Sequence, residues 1–216
     1  MFPESLERHL SEAGVIAVLV IDDADHAIPL THALLEGGVT AMELTLRTPA
    51  AMEALSRILE VPEMTAGVGT ILTPEQVSKV SSAGAAFGVA PGLNPRVIEQ
   101  ADRLGFPFAP GIVTPSELEK AVEMGCRTLK FFPAEAAGGM SYLKSMGGPY
   151  QHLGLRYIPL GGLNLNNAQT YLESPLVSAI GGSWIARRKM IRNQAWKTIT
   201  RNASDCMEII KQVRGA

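Results

Sequence analysis

Hydrophobic and polar positions alternate along this chain in a rhythm that repeats. Residues 4–13 mix charged side chains with Leu6 and Leu10 and stop at Gly14, which predicts a short leading helix. Val15-Ile16-Ala17-Val18-Leu19-Val20-Ile21 follows as an unbroken apolar run, the pattern of a strand buried on both faces. Asp22 or Asp23 is placed to cap the next helix, which ends at Gly37-Gly38. Val39 to Arg47 then reads as a second strand.

From there a repeat marks the helix starts. Thr48-Pro49, Thr73-Pro74, Asn94-Pro95 and Thr114-Pro115 recur at intervals of 25, 21 and 20 residues. In each, a side-chain oxygen can satisfy an orphan amide, and proline at the first helical position sacrifices no hydrogen bond. Thr73 with Gln76 and Thr114 with Glu117 extend to capping boxes. Gly84, Gly105 and Gly125 punctuate helix ends, and each is followed by a short apolar segment: Ala86–Ala90, Phe106–Ala109 and Thr128–Phe132. The rhythm continues with a helix near 139–147, a strand at Arg156–Leu160, a helix from Asn164, a strand at Leu176–Ile180 and a helical region at 193–213.

One strand and one helix every 20–25 residues is a βα repeat and implies a parallel sheet. The strands fall near 15, 39, 64, 86, 106, 128, 156 and 176, and eight units without a long insertion predict a (β/α)8 barrel with a short N-terminal helix. A doubly wound open sheet is the competing fold. No linker or low-complexity stretch divides the chain, so residues 1–216 are expected to form a single domain.

Against this pattern one residue is out of place. Six of the seven lysines lie in polar stretches, whereas Lys130 sits inside the apolar run Thr128-Leu129-Lys130-Phe131-Phe132, which Pro133 stops. Period-2 alternation puts Thr128, Lys130 and Phe132 on one face. An ammonium among aromatic rings loses hydration, which favours the neutral amine, the form that attacks a carbonyl to give a Schiff base. The competing structural roles are a lysine that snorkels at the strand end or one that pairs with a buried carboxylate.

In a barrel of this kind chemistry gathers at the C-terminal ends of the strands. Strand 2 ends in Glu43, Thr45 and Arg47 on one face; strand 3 ends in Gly67-Val68-Gly69-Thr70, and strand 4 in Ala90-Pro91-Gly92. Arg47 suits a substrate carboxylate with the Thr70 hydroxyl assisting, and it is a second cation near Lys130. Glu43 is the candidate for proton transfer, unless it merely pairs with Arg47. Strands 7 and 8 end in Gly161-Gly162 and Gly181-Gly182-Ser183, small residues that let amides approach a phosphate.

Other chemistries fit less well. Gly67-Val68-Gly69 lacks the last glycine of a dinucleotide turn, with Leu72 in its place. His9, His26, His32 and His152 do not converge on the strand ends and Cys126 precedes its strand, so no metal and no cofactor are expected. No Gly-x-Ser-x-Gly elbow is present. A formal net charge of −2 gives no reason to expect a nucleic-acid or anionic-membrane partner. Cys126 and Cys206 form no CxxC pair, the start of the chain lacks a signal-peptide pattern, and no apolar run approaches the ~20 residues a bilayer requires. A cytoplasmic protein with two free thiols is expected.

The ordered motifs Glu43-Leu44-Thr45-Leu46-Arg47-Thr48, Gly67-Val68-Gly69-Thr70, Ala90-Pro91-Gly92, Lys130-Phe131-Phe132-Pro133-Ala134-Glu135 and Gly181-Gly182-Ser183-Trp184 run over essentially the whole chain. Together they resemble the 2-keto-3-deoxy-6-phosphogluconate (KDPG)/4-hydroxy-2-oxoglutarate aldolases. That resemblance implies a metal-free class I aldolase, generally a homotrimer, acting on a phosphorylated 2-oxo acid in sugar-acid breakdown (the Entner–Doudoroff pathway) or 2-oxo acid detoxification. It implies that Lys130 forms the Schiff base and Glu43 is the acid/base. Arg47, Thr70, Pro91 and Phe132 hold the pyruvyl half, and Gly161, Gly162, Gly182 and Ser183 receive the phosphate. Leu160 stands where the gluconate-type enzymes carry threonine and the galactonate-type relatives an apolar residue, so the configuration at C4 stays open. Ala90 replaces a serine common in relatives. The remaining alternatives are a phosphosugar isomerase or epimerase using Glu43 without a covalent lysine, and a non-catalytic phosphometabolite-binding barrel.

Overall fold

The computed structural model describes residues 2–215. The leading helix α1 (Glu4–Ala13) ends as its pattern requires: Gly14 takes a left-handed φ of 69° and its N–H returns to the Leu10 carbonyl. Then β1 (Val15–Leu19), α2 (Ala27–Glu36), β2 (Ala41–Thr45), α3 (Ala51–Ile58), β3 (Thr65–Gly69), α4 (Pro74–Ala83) and β4 (Phe87–Val89) alternate. They are followed by α5 (Pro95–Arg103), β5 (Phe108–Ala109), β6 (Gly111–Ile112), α6 (Pro115–Glu123), β7 (Thr128–Phe131) and α7 (Gly139–Gly147). The chain closes with β8 (Arg156–Pro159), α8 (Leu165–Leu172), β9 (Ile180–Gly182), α9 (Arg188–Arg192) and α10 (Trp196–Arg214). The fold is α/β, and every strand pairing is parallel.

The strands form a six-stranded sheet in the order β5-β4-β3-β2-β1-β9 and a three-stranded sheet in the order β6-β7-β8. The expected fifth strand, Phe106–Ala109, shortens to β5, and the chain resumes as β6 beyond Pro110, which has no N–H to donate. Its carbonyl still accepts from the Lys130 amide at 2.9 Å, so residues 108–112 touch β4 on one side and β7 on the other. The expected eighth strand, Leu176–Ile180, is shifted to β9. Residues before it still bond Tyr157, which donates to the Leu176 carbonyl and accepts from the Ser178 amide.

Side chains alternate strictly along the strands. Leu19, Met42, Leu44, Leu129 and Phe131 face the helices and join one large core with Leu30, Leu34, Leu55 and Ile199. Each such burial is worth about 1.5–3 kcal/mol. The intervening residues Ile16, Ala41, Phe87 and Ile158 face the other way and form a second core, which Leu10 and Ala13 of α1 cover. Residues from both sheets meet there, so the two sheets share one inner face.

The caps at Thr73, Asn94 and Thr114 form as expected, two of them as full capping boxes. Asn164 and Asn167 make a third box that the proline pattern did not flag. Thr48 is a correction: its hydroxyl donates to the Ile21 carbonyl, tying the ends of β1 and β2 together, and α3 starts at Ala51 without a side-chain cap. Asp23 accepts from the Asp25 amide at 3.0 Å at the head of a 3-10 turn, while Asp22 turns away to arginines beyond β9. The helical region expected over 193–213 is α10, and the short α9 precedes it unforeseen, with Gln194 at a positive φ of 52° between the two. Among the described residues no helix is long and apolar enough to cross a membrane.

Candidate active site

The strand register decides which polar groups meet. Glu43 lies beside Val18 of β1 and Gly67 of β3, and Lys130 lies between Gly111 and Ile158. Both side chains therefore point from the inner face near the C-terminal ends of their strands. Lys130 Nζ donates to both Glu43 oxygens, at 3.0 and 3.1 Å, and the two residues are only 5% and 3% exposed. The Phe132 ring centroid is 5.6 Å from Nζ. Two sequence alternatives thus merge: the carboxylate that pairs with the unusual lysine is the candidate acid/base. Glu43 makes no ion pair with Arg47.

Burying two opposite charges carries a desolvation penalty of several kcal/mol per ion, which only close geometry offsets. The strands supply that geometry, and so do absent side chains. A Cβ on Gly69 would lie 1.8 Å from Glu43 Oε1, so glycine there makes room for the carboxylate. Gly67 makes room for the Phe87 ring in the same way, at 2.2 Å. The glycines that hinted at a nucleotide turn are spaces for neighbours.

Arg47 is aimed by a short relay. The Thr45 hydroxyl donates to the Leu19 carbonyl at 2.7 Å and accepts from Arg47 Nε at 3.1 Å. Thr70 has φ of +60°, an uncommon and strained conformation for a β-branched residue. One cavity of about 320 Å³ is lined by Glu43, Arg47, Thr70, Pro91, Lys130, Phe132, Gly161 and Ser183. Gly162 and Gly182 are not on its wall. Gly162 follows Gly161 in the same turn, with φ of 85° and 96° respectively, and Gly182 lies in β9 with Trp184 and Ile185 beside it. Among the described residues, the amides of Gly161 and Gly162 donate to no protein group, while the Gly161 carbonyl accepts from the Glu135 amide at 3.0 Å. That bond ties the glycine turn to the segment that follows Lys130.

Val18, Thr45, Leu160 and Gly181 also line the cavity. Leu160 fills the space that a side chain on Gly181 would need, at 2.0 Å from its Cβ position. Val18 gave no sequence signal because β1 is apolar throughout. Among the described residues no three His, Cys, Asp or Glu side chains are grouped to hold a metal ion. His9 bonds the Thr65 hydroxyl at 2.8 Å and His26 packs edge-on to Trp196, both away from the cavity. Both thiols are free and buried, and burial pushes Cys126 up to about 11 and Cys206 up to about 12, which leaves them protonated and poorly nucleophilic.

The KDPG and KHG aldolase profile matches residues 6–202. The chain belongs to the KDPG and KHG aldolase family. It is 40% identical over 210 residues to the 2-dehydro-3-deoxy-phosphogluconate aldolase of Haemophilus influenzae, covering 96% of this chain and 98% of that one. It is 38% identical to the KHG/KDPG aldolase of Escherichia coli K12, over 94% and 95% of the two chains. Among solved structures it resembles the KDPG aldolase of Legionella pneumophila with pyruvate captured at low pH as a covalent carbinolamine intermediate. The TM-score is 0.87 at 38% identity, with 94% of this chain and 97% of that one covered.

Proposed function

We propose that this KDPG and KHG aldolase family member is a class I aldolase. In this reading it cleaves 2-keto-3-deoxy-6-phosphogluconate to pyruvate and glyceraldehyde 3-phosphate, and also accepts 4-hydroxy-2-oxoglutarate. The observation that carries the reading is the buried contact of Lys130 Nζ with both oxygens of Glu43 inside the cavity. The Legionella relative's pyruvate carbinolamine supports it, since such an adduct requires an amine in this kind of pocket.

The steps follow from that contact. Glu43 takes a proton from the Lys130 ammonium, and the freed amine adds to the substrate C2 carbonyl. Glu43 returns that proton to the new alkoxide to give the carbinolamine, then carries a second proton from its nitrogen to the same oxygen, which leaves as water and gives the iminium. Glu43 then removes the C4 hydroxyl proton; the C3–C4 pair moves into the iminium, and the aldehyde departs from an enamine on Lys130. Protonation at C3 and addition of water release pyruvate and restore the amine. Arg47, steadied by Thr45, holds the carboxylate with Thr70 assisting. Pro91 and Phe132 bound the pyruvyl half. The free amides of the Gly161-Gly162 turn, with Gly182 and Ser183, take the phosphate.

The apolar Leu160 in the cavity wall favours a second substrate reading, the galactonate epimer at C4, because it offers no hydrogen bond to a hydroxyl there. For the fold, the proposal is a (β/α)8 barrel over residues 1–216 as one domain, in which the two sheets are arcs of a single ring. Segments 108–112 and 176–182, each bonded on both sides, support it. A homotrimer, as the family resemblance implies, with a cytoplasmic location completes the reading.

Pyruvate release measured by coupling to lactate dehydrogenase tests the activity. Turnover of either KDPG epimer, retained in chelator, is expected. Purified protein that frees no pyruvate from either epimer or from 4-hydroxy-2-oxoglutarate would sink the proposal.

A further inference from the structure

Beside the catalytic cavity lies a second compartment of about 310 Å³, walled by Arg47, Ser183, Ala186, Arg187, Arg188 and Val20. It is not a separate hollow: Val18, Arg47 and Ser183 line both spaces. Its walls carry three guanidiniums and no carboxylate. Arg188 donates through Nε to Asp22 Oδ2 at 2.9 Å, and Arg192 Nε reaches the same oxygen at 2.7 Å. These bonds hold the Asp22 carboxyl well below the usual carboxylate range and fix Arg188 as a wall. Arg187 is exposed and, among the described residues, has no ion-pair partner. The segment Arg187-Arg188-Lys189-Met190-Ile191-Arg192 holds four cations and no acid, in a chain whose net charge is −2.

Crowding positive charge against the mouth of a cavity that already contains Arg47 is unfavourable unless an anion shares the space. We infer that Arg187, the free cation of this compartment, is a further specificity-determining residue that adds formal charge to the recognition of aldehyde partners bearing a phosphoryl or carboxylate group. The inference rests on the aldolase reading of the neighbouring cavity. The glycine turn offers only neutral amides, whereas Arg187 supplies formal charge and a planar fork matched to an oxyanion. Ser183, which borders both spaces, stands where an acidic group entering from the Lys130 side is met from both.

The test is aldol addition to pyruvate with three acceptors: glyceraldehyde 3-phosphate, glyoxylate and uncharged D-glyceraldehyde. Wild type, Arg187→Ala, Arg187→Lys and the neighbouring Lys189→Ala are compared, and inorganic phosphate binding is measured by calorimetry on the same proteins. For Arg187→Ala the ratio of kcat/KM for an anionic acceptor to that for D-glyceraldehyde falls about tenfold or more, through KM, as expected for loss of a charge-assisted contact. Arg187→Lys recovers most of the ratio, Lys189→Ala leaves it unchanged, and the wild-type advantage shrinks as salt rises. A fall confined to glyceraldehyde 3-phosphate assigns Arg187 to phosphoryl groups, and a fall with glyoxylate extends its role to carboxylates. An unchanged ratio for both anionic acceptors overturns the inference. Wild type inactive with every acceptor would remove the aldolase reading alone. Calorimetry then decides the role of Arg187, which stands if Arg187→Ala weakens phosphate binding and falls if it does not.

Discussion

The inner faces of β1, β2 and β7 carry residues at two levels, two positions apart, and the levels differ in chemistry. Nearer the N-terminal ends are Ile16, Ala41 and Thr128, all buried, with Leu10 and Ala13 of α1 closing the space and the Phe87 ring filling it. Nearer the C-terminal ends are Val18, Glu43 and Lys130, which line an open cavity. One level is filled and contributes stability. The other is left unfilled and holds a buried ion pair that is weak evidence for stability but places a base against an amine. The same backbone serves both because a shift of two residues keeps the face and changes only the height.

Substitutions at the two levels should therefore fail in different ways. At the upper level, Lys130→Met is expected to cut aldol cleavage by roughly 10⁵-fold or to background, the scale seen when a covalent nucleophile is removed. Glu43→Gln keeps the shape but removes the proton carrier, and steady-state kinetics should show a kcat loss of about 10²–10⁴-fold. At the lower level, Phe87→Ala should cost about 3–5 kcal/mol in urea unfolding. Its kcat, measured well below the unfolding midpoint, should stay close to wild type. A large loss of kcat there, without loss of stability, would erase the distinction between the levels.

Smaller changes sharpen the comparison. Gly69→Ala puts a methyl group where Glu43 Oε1 now lies, and a displacement of about 1 Å should lower kcat by roughly 10²-fold. Leu160→Thr should shift the preference between the C4 epimers of the substrate by about tenfold toward the gluconate form, read as a ratio of kcat/KM values. No change in that ratio would take Leu160 out of the specificity argument.

Much of this arrangement is legible in the sequence. Alternation puts Glu43 on one face with Thr45 and Arg47, and Lys130 on one face with Thr128 and Phe132, because both strands mix polar and apolar positions. The capping boxes at Thr73 and Thr114 are local events, and local chemistry reads well from sequence. What escaped depended on distant partners. Thr48 looks like the other Thr-Pro caps, yet the Ile21 carbonyl claims its hydroxyl. Gly69 and Gly181 look like loose strand ends, and only Glu43 and Leu160 across the sheet explain why a side chain there is excluded. The fifth strand reads as ending at Ala109, and its continuation as β6 beyond Pro110 shows only in its pairing with β7. Arg187 carries no periodic signal at all, and its position beside Arg47 exists only once β9 lies next to β1.

The most direct measurement is intact-protein mass spectrometry after incubation with pyruvate and borohydride, on wild type and Lys130→Met, followed by peptide mapping. A pyruvate-derived adduct on wild type alone, mapped to Lys130, is the predicted result. Wild type that stays unmodified, or an adduct that persists in Lys130→Met, would contradict the central claim. Proton transfer by Glu43 without a covalent lysine, as in an isomerase, would then become the leading account.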